Sequence, residues 1–393
     1  MSQASNNKSF EGFDAYMKEA LTQAQGEGNL RSLIYDNLDS PTEFDIDLSH
    51  NDYLNLRSFQ PLKDAVFKEL QDLHLPFGSG GSRLLGGDQK ILRQLEQEFV
   101  KWLGCYEDAL YFPSGYAANE AIGQAIFTND TEVFSDQLNH ASIIDGLRLS
   151  HWTRDQKKIF RHNDLNQLSE LLAASEATIK CIITESIFSM DGDSPRLPEL
   201  LELCQIHNAM LILDEAHAIG VYGKNGSGLA SELTNIENAP IIGIYPCGKA
   251  LATQGAFVAG TITLRKYLIN RARSFIYTTA PSPWMALALK NVIKLMPDLE
   301  ERRVHLSKIT NFMRSEFKRL GVACLDGDSH IVPVIVGDQT KGEQIVEKAR
   351  EKGIACRLIR PPTVAPDSCR IRISLHAELN FESCHRIIEV FKP

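Results

Sequence analysis

Two side chains near the middle of the chain have the types and spacing that covalent catalysis needs. Asp214 ends the apolar run Met210–Asp214, and Lys249 follows the apolar run Ile241–Tyr245. A lysine with few charges nearby can lose its proton and form a Schiff base, and an aspartate beyond a buried strand can pair with a cationic ring nitrogen. Alternatively, Asp214 caps the next helix and Lys249 is a solvated amine. Because one strand–helix–strand unit separates them, both can face one crevice.

Further candidate residues also follow apolar runs. Ser114, Gly115 and Tyr116 form a turn before an alanine-rich helix, and the first amides of that helix would bind a phosphate unless they are simply capped. His140 lies at a strand-to-helix junction, where it could stack on an aromatic ring or serve a structural role. Ser189 could donate a hydrogen bond to a ligand oxygen, and the alternative is a turn hydroxyl.

The elements that must position these residues follow a regular alternation. Short and mostly continuous apolar runs, separated by helix-length segments, predict an α/β fold with a mostly parallel sheet that is covered on both faces. The predicted strands are Ala109–Phe112, Glu132–Ser135, Lys158–Arg161, Cys181–Glu185, Met210–Asp214, Ile241–Tyr245 and Ala256–Thr261. The Gly-rich run 78–87 is not a Walker loop, since no Gly-Lys-Ser/Thr closes it, and it is either a flexible turn or a loop lining the site.

The pattern changes after Pro283. A long helical region from Trp284 to about Leu320 is followed by strand candidates and further helices, which predicts a smaller C-terminal α+β domain. We therefore predict an N-terminal arm over residues 1–50, a large domain over 51–285 and a C-terminal domain over 286–393. The additional strands are Ile331–Val336, Ala355–Ile359 and Arg370–Leu375, with a helix at Lys341–Lys352 and an N-terminal helix at Phe10–Ala24.

Composition excludes several classes of protein. The net charge of -9, without a long basic stripe, argues against nucleic-acid binding. The apolar runs are too short and too often broken to predict a membrane helix. The eight cysteines contain no Cys-x-x-Cys pair, and we expect reduced thiols in a cytoplasmic protein, with neither a metal site nor a disulfide framework.

The order and spacing of these motifs resemble those of the fold-type I pyridoxal-phosphate (PLP) enzymes. Within that group the chain is similar to the α-oxoamine synthases, from Asn51-Asp52-Tyr53-Leu54 to the C-terminal strand. The segments Ile359-Arg360-Pro361-Pro362-Thr363-Val364 and Arg370-Ile371-Arg372-Ile373-Ser374 resemble the biotin-pathway branch of the family. That branch joins L-alanine to a pimeloyl thioester, carried by coenzyme A or acyl carrier protein, with loss of CO2.

The resemblance implies a role for each matching position. Lys249 would hold PLP as a Schiff base, Asp214 would pair with the ring nitrogen, and His140 would stack on the ring. His217 and Ser189 would lie near the phenolic oxygen, and Gly115 and Tyr116 beside the phosphate. The remaining matches concern substrate and partner: Arg372 and Asn51 would bind the amino-acid carboxylate, Thr279 would reach the phosphate of a second subunit in a homodimer, and Arg360 and Arg31 would face substrate.

Two positions depart from the family pattern. Pro246 stands where members usually carry Thr or Ser as a phosphate ligand, and proline offers neither a hydroxyl nor an N–H. Members also often have a histidine shortly after the Gly-rich run, and the segment Asp88–Leu92 has none. Three alternatives stay open: another α-oxoamine synthase that uses glycine or serine, a PLP aminotransferase, and a non-catalytic partner subunit. Retention of Lys249, Asp214, His140 and His217 argues against the last.

Overall fold

A computed structural model describes residues 7–28, 30–31, 44–150, 154–233, 240–361, 363–365 and 367–392. Its helices are α1 Asn7–Gly26, α2 Gln60–Leu73, α3 Lys90–Leu103, α4 Gly115–Ile126, α5 Ala141–Arg148, α6 Leu165–Ala173, α7 Leu197–Ile206, α8 Ile262–Arg271, α9 Arg273–Ile276, α10 Pro283–Leu295, α11 Glu300–Leu320, α12 Gln339–Glu351 and α13 Phe381–Phe391. Its strands are β1 Ile46–Asp47, β2 Asp108–Phe112, β3 Thr131–Asp136, β4 Lys157–Phe160, β5 Ile179–Glu185, β6 Ala209–Asp214, β7 Ile241–Pro246, β8 Ala256–Gly260, β9 Ile331–Gly337, β10 Ile354–Ala355, β11 Leu358–Ile359 and β12 Cys369–Ser374.

A seven-stranded sheet in the order β2-β8-β7-β6-β5-β3-β4 forms the centre of the large domain. The pairs from β7 to β4 are parallel, and β8 runs antiparallel to both of its neighbours. Every residue of β2 and β7 is buried, because helices cover both faces of the sheet. The predicted α/β fold with a mostly parallel sheet is confirmed.

The carboxyl ends of the parallel strands meet at one edge of this sheet. Asp214 and Glu185 are register partners at the ends of β6 and β5, and β7 ends at Pro246, three residues before Lys249. Helix α4 begins beyond β2, where the Ser114 side chain caps it by accepting the Ala117 amide. Topology therefore brings candidate residues that are far apart in sequence to one edge.

The C-terminal part of the chain forms a second, antiparallel sheet in the order β11-β12-β9. Strand β12 is buried along its whole length and carries Arg370 and Arg372. It meets the end of the N-terminal arm through the Ser374 amide, which donates to the Leu48 carbonyl at 3.2 Å. Strand β12 thus holds its arginines beside the first residues after the N-terminal arm.

Three sequence expectations differ from the structure in detail. The helical region predicted from Trp284 is two helices, α10 and α11, joined by a 3-10 turn at Met296–Leu299 that contains Pro297. The strand predicted at Ala355–Ile359 is split, since β10 pairs with β1 whereas β11 pairs with β12. The predicted domain boundary between residues 285 and 286 falls inside α10. None of the described helices has the length and apolar character needed to span a membrane.

Candidate active site

Asp214 ends β6 at the edge where the carboxyl ends of the parallel strands meet, a region that we call the cleft, and it is held by two hydrogen bonds. Its Oδ1 accepts the Ala216 amide, and its Oδ2 accepts the Asn119 Nδ2 group, each at 2.9 Å. Asn119 also donates to Ser142 Oγ at 2.9 Å, and that hydroxyl lies 2.8 Å from His140 Nδ1. This chain of hydrogen bonds fixes the position of the buried carboxylate relative to the exposed ring of His140.

A second chain of contacts runs from Lys249 to Arg372. Lys249 Nζ lies 3.0 Å from His217 Nε2, and His217 Nδ1 lies 2.6 Å from the Tyr53 hydroxyl. Arg372 Nη2 donates to the same hydroxyl at 3.2 Å, while Arg372 Nη1 donates to Asn51 Oδ1 at 2.9 Å. Tyr53 therefore joins the amine that can form a Schiff base to the arginine that can bind a carboxylate.

Burial and neighbouring charges set the protonation of this cleft. Burial lowers the pKa of Lys249 to about 8, and Arg372 adds to that effect against the opposing attraction of Asp214 and Glu185. Burial, with the positive charge of Lys249, also holds the pKa of His217 well below its usual value. Burial and then the like charge of Asp214 raise the pKa of Glu185 to about 8. At neutral pH Glu185 is therefore largely protonated.

The turn at the start of α4 has the features of an anion site. The first amides of a helix have no intrahelical acceptor, and at α4 these belong to Gly115 and Tyr116. The Pro246 ring packs closely on this turn, since a Cβ at Gly115 would lie 2.8 Å from Pro246 Cγ. The side chain of Tyr116 is turned away to hydrogen-bond Asp145. Pro246 thus occupies the place beside the turn without offering a hydroxyl to an anion.

The structure brings most, but not all, of the predicted site residues together. Ser189 joins the cluster through its carbonyl, which accepts Arg372 Nε at 2.5 Å. Thr279 is exposed, and the next residue, Ala280, donates its amide to Gly81 of the Gly-rich run at 2.9 Å. Arg360 is half-buried at the end of β11 and Arg31 is exposed, and within the described part of the chain neither has a side-chain hydrogen bond or ion pair to the cleft.

Tyr53 and Asn119 lie in the cleft, and the sequence predicts no role for either. Tyr53 was visible in the segment Asn51-Asp52-Tyr53-Leu54, but only Asn51 was assigned there. Asn119 lies in the alanine-rich helix after the phosphate turn, where nothing marked it as a ligand of Asp214. Both contacts span large sequence separations, 164 residues for Tyr53 with His217 and 95 for Asn119 with Asp214, so local patterns do not reveal them.

The groups present fit PLP. Lys249 is an amine with a lowered pKa that could react with the cofactor aldehyde, Asp214 could pair with the pyridinium nitrogen, and the α4 amides could take the phosphate. The buried Oδ1 of Asn119, the residue that holds Asp214, lacks a hydrogen-bond partner among the described residues. The cleft therefore offers a Schiff-base amine, a charge partner and an anion site in one place.

Comparison with known proteins agrees with this assignment. The family model described as aminotransferase class I and II matches residues 44–391. An 8-amino-7-oxononanoate synthase of Anaeromyxobacter sp. (strain K) is 40% identical over 334 residues, which cover 84% of this chain and 82% of that protein. One from Paraburkholderia xenovorans (strain LB400) is 39% identical over 337 residues, covering 84% of each chain.

Solved structures show the same fold. The 8-amino-7-oxononanoate synthase of Francisella tularensis superposes with a TM-score of 0.75 at 29% identity, covering 88% of this chain and 96% of that chain. The serine palmitoyltransferase of Sphingomonas wittichii superposes with a TM-score of 0.85 at 24% identity, covering 99% and 98% of the two chains. The second likeness concerns the fold alone.

Proposed function

From its membership of the aminotransferase class I and II family, within which it belongs to the 8-amino-7-oxononanoate synthases, we propose that this chain condenses L-alanine with a pimeloyl thioester. The products would be 8-amino-7-oxononanoate, CO2 and the free thiol. The chain is a PLP-dependent acyltransferase. The proposal therefore concerns the substrate pair and the residues that handle it.

Each residue of the cleft would have a separate role in the reaction. PLP, when bound, withdraws electrons from the amino-acid α-carbon and so stabilises negative charge there. Lys249 would hold the cofactor and then move the proton at the α-carbon, for which a pKa of about 8 is suited. Asp214 would keep the ring nitrogen protonated through its charge, and His140 would cover one face of the ring. Arg372, with Asn51, would bind the alanine carboxylate.

The observation that carries the proposal is the contact chain from Arg372 through Tyr53 and His217 to Lys249. It joins a buried guanidinium, whose positive charge would attract a carboxylate, to the amine that performs covalent chemistry. An amino acid whose carboxylate is bound by Arg372 and whose amino group lies near Lys249 has its α-carbon between these two residues. This geometry supports an amino-acid substrate, and the family membership supports alanine and the pimeloyl group.

The test is release of free thiol with parallel acyl donors and amino acids, with mass analysis of each product. We expect pimeloyl thioester to be preferred over succinyl, acetyl and palmitoyl thioesters, with coenzyme A and acyl carrier protein compared as carriers. L-Alanine should be preferred and glycine used slowly, because one methyl group gives only about 1–3 kcal/mol of discrimination. Preference for glycine or serine with another acyl group would favour a different α-oxoamine synthase, and amino transfer without thiol release would favour an aminotransferase.

We also propose a homodimer whose two active sites are shared. Thr279 lies on the surface beside the Gly-rich run, and large apolar side chains stay exposed around it. Phe77 is 78% exposed, Leu85 85% and Tyr277 72%, which is typical of a surface that a second subunit covers. We further propose that the enzyme works in the cytoplasm, where its eight free thiols would stay reduced.

Mixed dimers test the shared site. In a dimer of one Lys249→Ala chain with one Thr279→Ala chain, one site combines an intact Lys249 with an intact Thr279. Mixing the two variants after mild dissociation should therefore restore activity above that of either parent. A fully active monomer in sedimentation would contradict the proposal, and so would a mixture that is no more active than the two parents.

A further inference from the structure

A cluster of charged side chains outside the cleft surrounds His162. Its Nδ1 lies 3.0 Å from Asp136 Oδ1 at the end of β3, and its Nε2 lies 2.8 Å from Asp193 Oδ2. Asn163 adds a bond from its amide to Asp136 and one from its side chain to Asp193. The imidazole edge-packs on Phe188 with ring centroids 4.3 Å apart. The imidazole ring is therefore held at both nitrogens and packed against Phe188.

The contacts of His162 favour an imidazolium over a metal ligand. A carboxylate oxygen accepts a hydrogen bond from an N–H group, so a carboxylate at each ring nitrogen favours a proton on both nitrogens. Such a ring has no lone pair left for a metal, although oxygen atoms of Asp191 and Asp193 lie within 4.8 Å of it. Arg370, a second cation at this cluster, pairs with Asp191. Hydrogen bonds and charge from Asp136 and Asp193 raise the pKa of His162 to about 10 despite its burial.

Asp193 ends a short loop, Ser189–Asp193, which lies between the two sheets. On the side of the C-terminal sheet, Arg370 holds Asp191 and the Ser329 hydroxyl holds the Gly192 carbonyl. Gly192 has a φ of +67°, and a Cβ there would lie 2.2 Å from the Ile331 carbonyl oxygen, so the loop and β9 are in direct contact. On the other side, the loop is held to the large sheet by His162 and Asn163.

The same loop touches the predicted substrate clamp. The Ser189 carbonyl accepts Arg372 Nε at 2.5 Å, whereas the terminal nitrogens of Arg372 point to Asn51, Tyr53 and Ser374. The Nε bond fixes the plane of the guanidinium together with the three bonds from the terminal nitrogens, and the direction of the remaining N–H group towards a carboxylate depends on that plane. A shift of the loop would therefore rotate the arginine that takes the carboxylate.

We propose that His162, as an imidazolium between Asp136 and Asp193, is a positioning residue that anchors the Ser189–Asp193 loop and through it orients Arg372 for the amino-acid carboxylate. This role rests on the proposed function, because it assumes that Arg372 binds an amino-acid substrate. His162 itself touches neither substrate nor cofactor. Its loss should weaken binding of the carboxylate in particular, not of every ligand of the cleft.

The experiment compares two ligands that differ only in the carboxylate. Purified holoenzyme is titrated with L-alanine and with L-alaninamide, and binding is followed by the absorbance of the cofactor. In His162→Gln the Kd for L-alanine should rise about tenfold and the Kd for L-alaninamide less than about twofold, since only the first ligand uses the charged bond to Arg372. The matched control is Arg161→Gln, because Arg161 is the neighbouring residue and its exposed side chain pairs with Asp164 instead. That control should leave both constants unchanged.

Each outcome decides the matter. Equal weakening of both ligands in His162→Gln, or no weakening, overturns the positioning role. If His162→Gln does not fold, Asp193→Asn makes the same comparison, because it removes one of the two carboxylates that hold the ring. If the wild-type holoenzyme shows no response to L-alanine, the proposed function itself is wrong. If it responds and the variants do not discriminate, only the role of His162 is wrong.

Discussion

Removing the hydroxyl of Tyr53 should damage both ends of the cleft at once. Tyr53→Phe deletes contacts to His217 Nδ1 at 2.6 Å, Asn51 Oδ1 at 3.0 Å and Arg372 Nη2 at 3.2 Å. One net hydrogen bond contributes about 1 kcal/mol, and a buried polar group left unpaired costs about 1–3 kcal/mol. A loss of about 2–3 kcal/mol in the transition state lowers kcat/KM roughly 30- to 150-fold.

The assay is steady-state thiol release with L-alanine, together with the absorbance spectrum of the bound cofactor. The KM for L-alanine should rise because Arg372 loses a partner, and kcat should fall because His217 is no longer fixed against Lys249. The spectrum should still show bound cofactor, since Lys249 and Asp214 are intact. The change in KM would thus report the Arg372 end of the contact chain, and the change in kcat would report the Lys249 end.

Tyr222 provides a matched control for this substitution. The rings of Tyr53 and Tyr222 both pack on His330, with centroids 3.9 Å and 5.7 Å from that of the imidazole. Among the contacts described, the Tyr222 hydroxyl meets only His330 Nδ1, at 3.3 Å. Tyr222→Phe should lower kcat/KM less than about threefold, as expected for one long neutral hydrogen bond. If Tyr53→Phe behaves like Tyr222→Phe, the contact chain through Tyr53 does not contribute to catalysis.

Three further predictions address the cofactor site. Asp214→Asn should lower kcat/KM far more than Ser189→Ala, because a buried charge pair is worth several kcal/mol and a hydroxyl contact about 1 kcal/mol. Comparable losses of kcat/KM in the two variants would contradict this ranking. The rate at which apoenzyme reacts with PLP should rise with pH through about 8 and then level off, because the neutral amine of Lys249 is the nucleophile. Stopped-flow absorbance between pH 6 and pH 10 measures this rate, and a flat pH profile would contradict the prediction. Pro246→Thr should tighten PLP binding about tenfold by restoring a hydroxyl beside the Gly115 turn, and an unchanged Kd would mean that another group already fills that place.

The sequence predicts the large sheet well because its signal is local. The central parallel strands β5, β6 and β7 contain continuous apolar runs, and the residues that follow them could be placed at one edge without knowing the strand order. Pro297 is a local signal for the break between α10 and α11, because proline cannot donate an intrahelical hydrogen bond. The apolar pattern continues across Pro297 and therefore predicts one helical region.

Other features depend on partners that are distant in sequence. The split between β10 and β11 follows from their different partners, β1 and β12, which no local pattern specifies. The role of Tyr53 likewise appears only when β12 places Arg372 beside it, 319 residues along the chain. His162 looks like an ordinary histidine after a strand until β3 and the Ser189–Asp193 loop bring a carboxylate to each ring nitrogen.

The central claim is a condensation in which the amino-acid carboxylate is lost. Holoenzyme would be given pimeloyl thioester and L-alanine labelled with carbon-13 either at the carboxyl carbon or at the α-carbon, and the product would be weighed by mass spectrometry. The account predicts 8-amino-7-oxononanoate that keeps the α-carbon label and lacks the carboxyl label, which appears as CO2. A product that retains the carboxyl carbon, or the absence of any product containing both the pimeloyl chain and the alanine α-carbon, would contradict it.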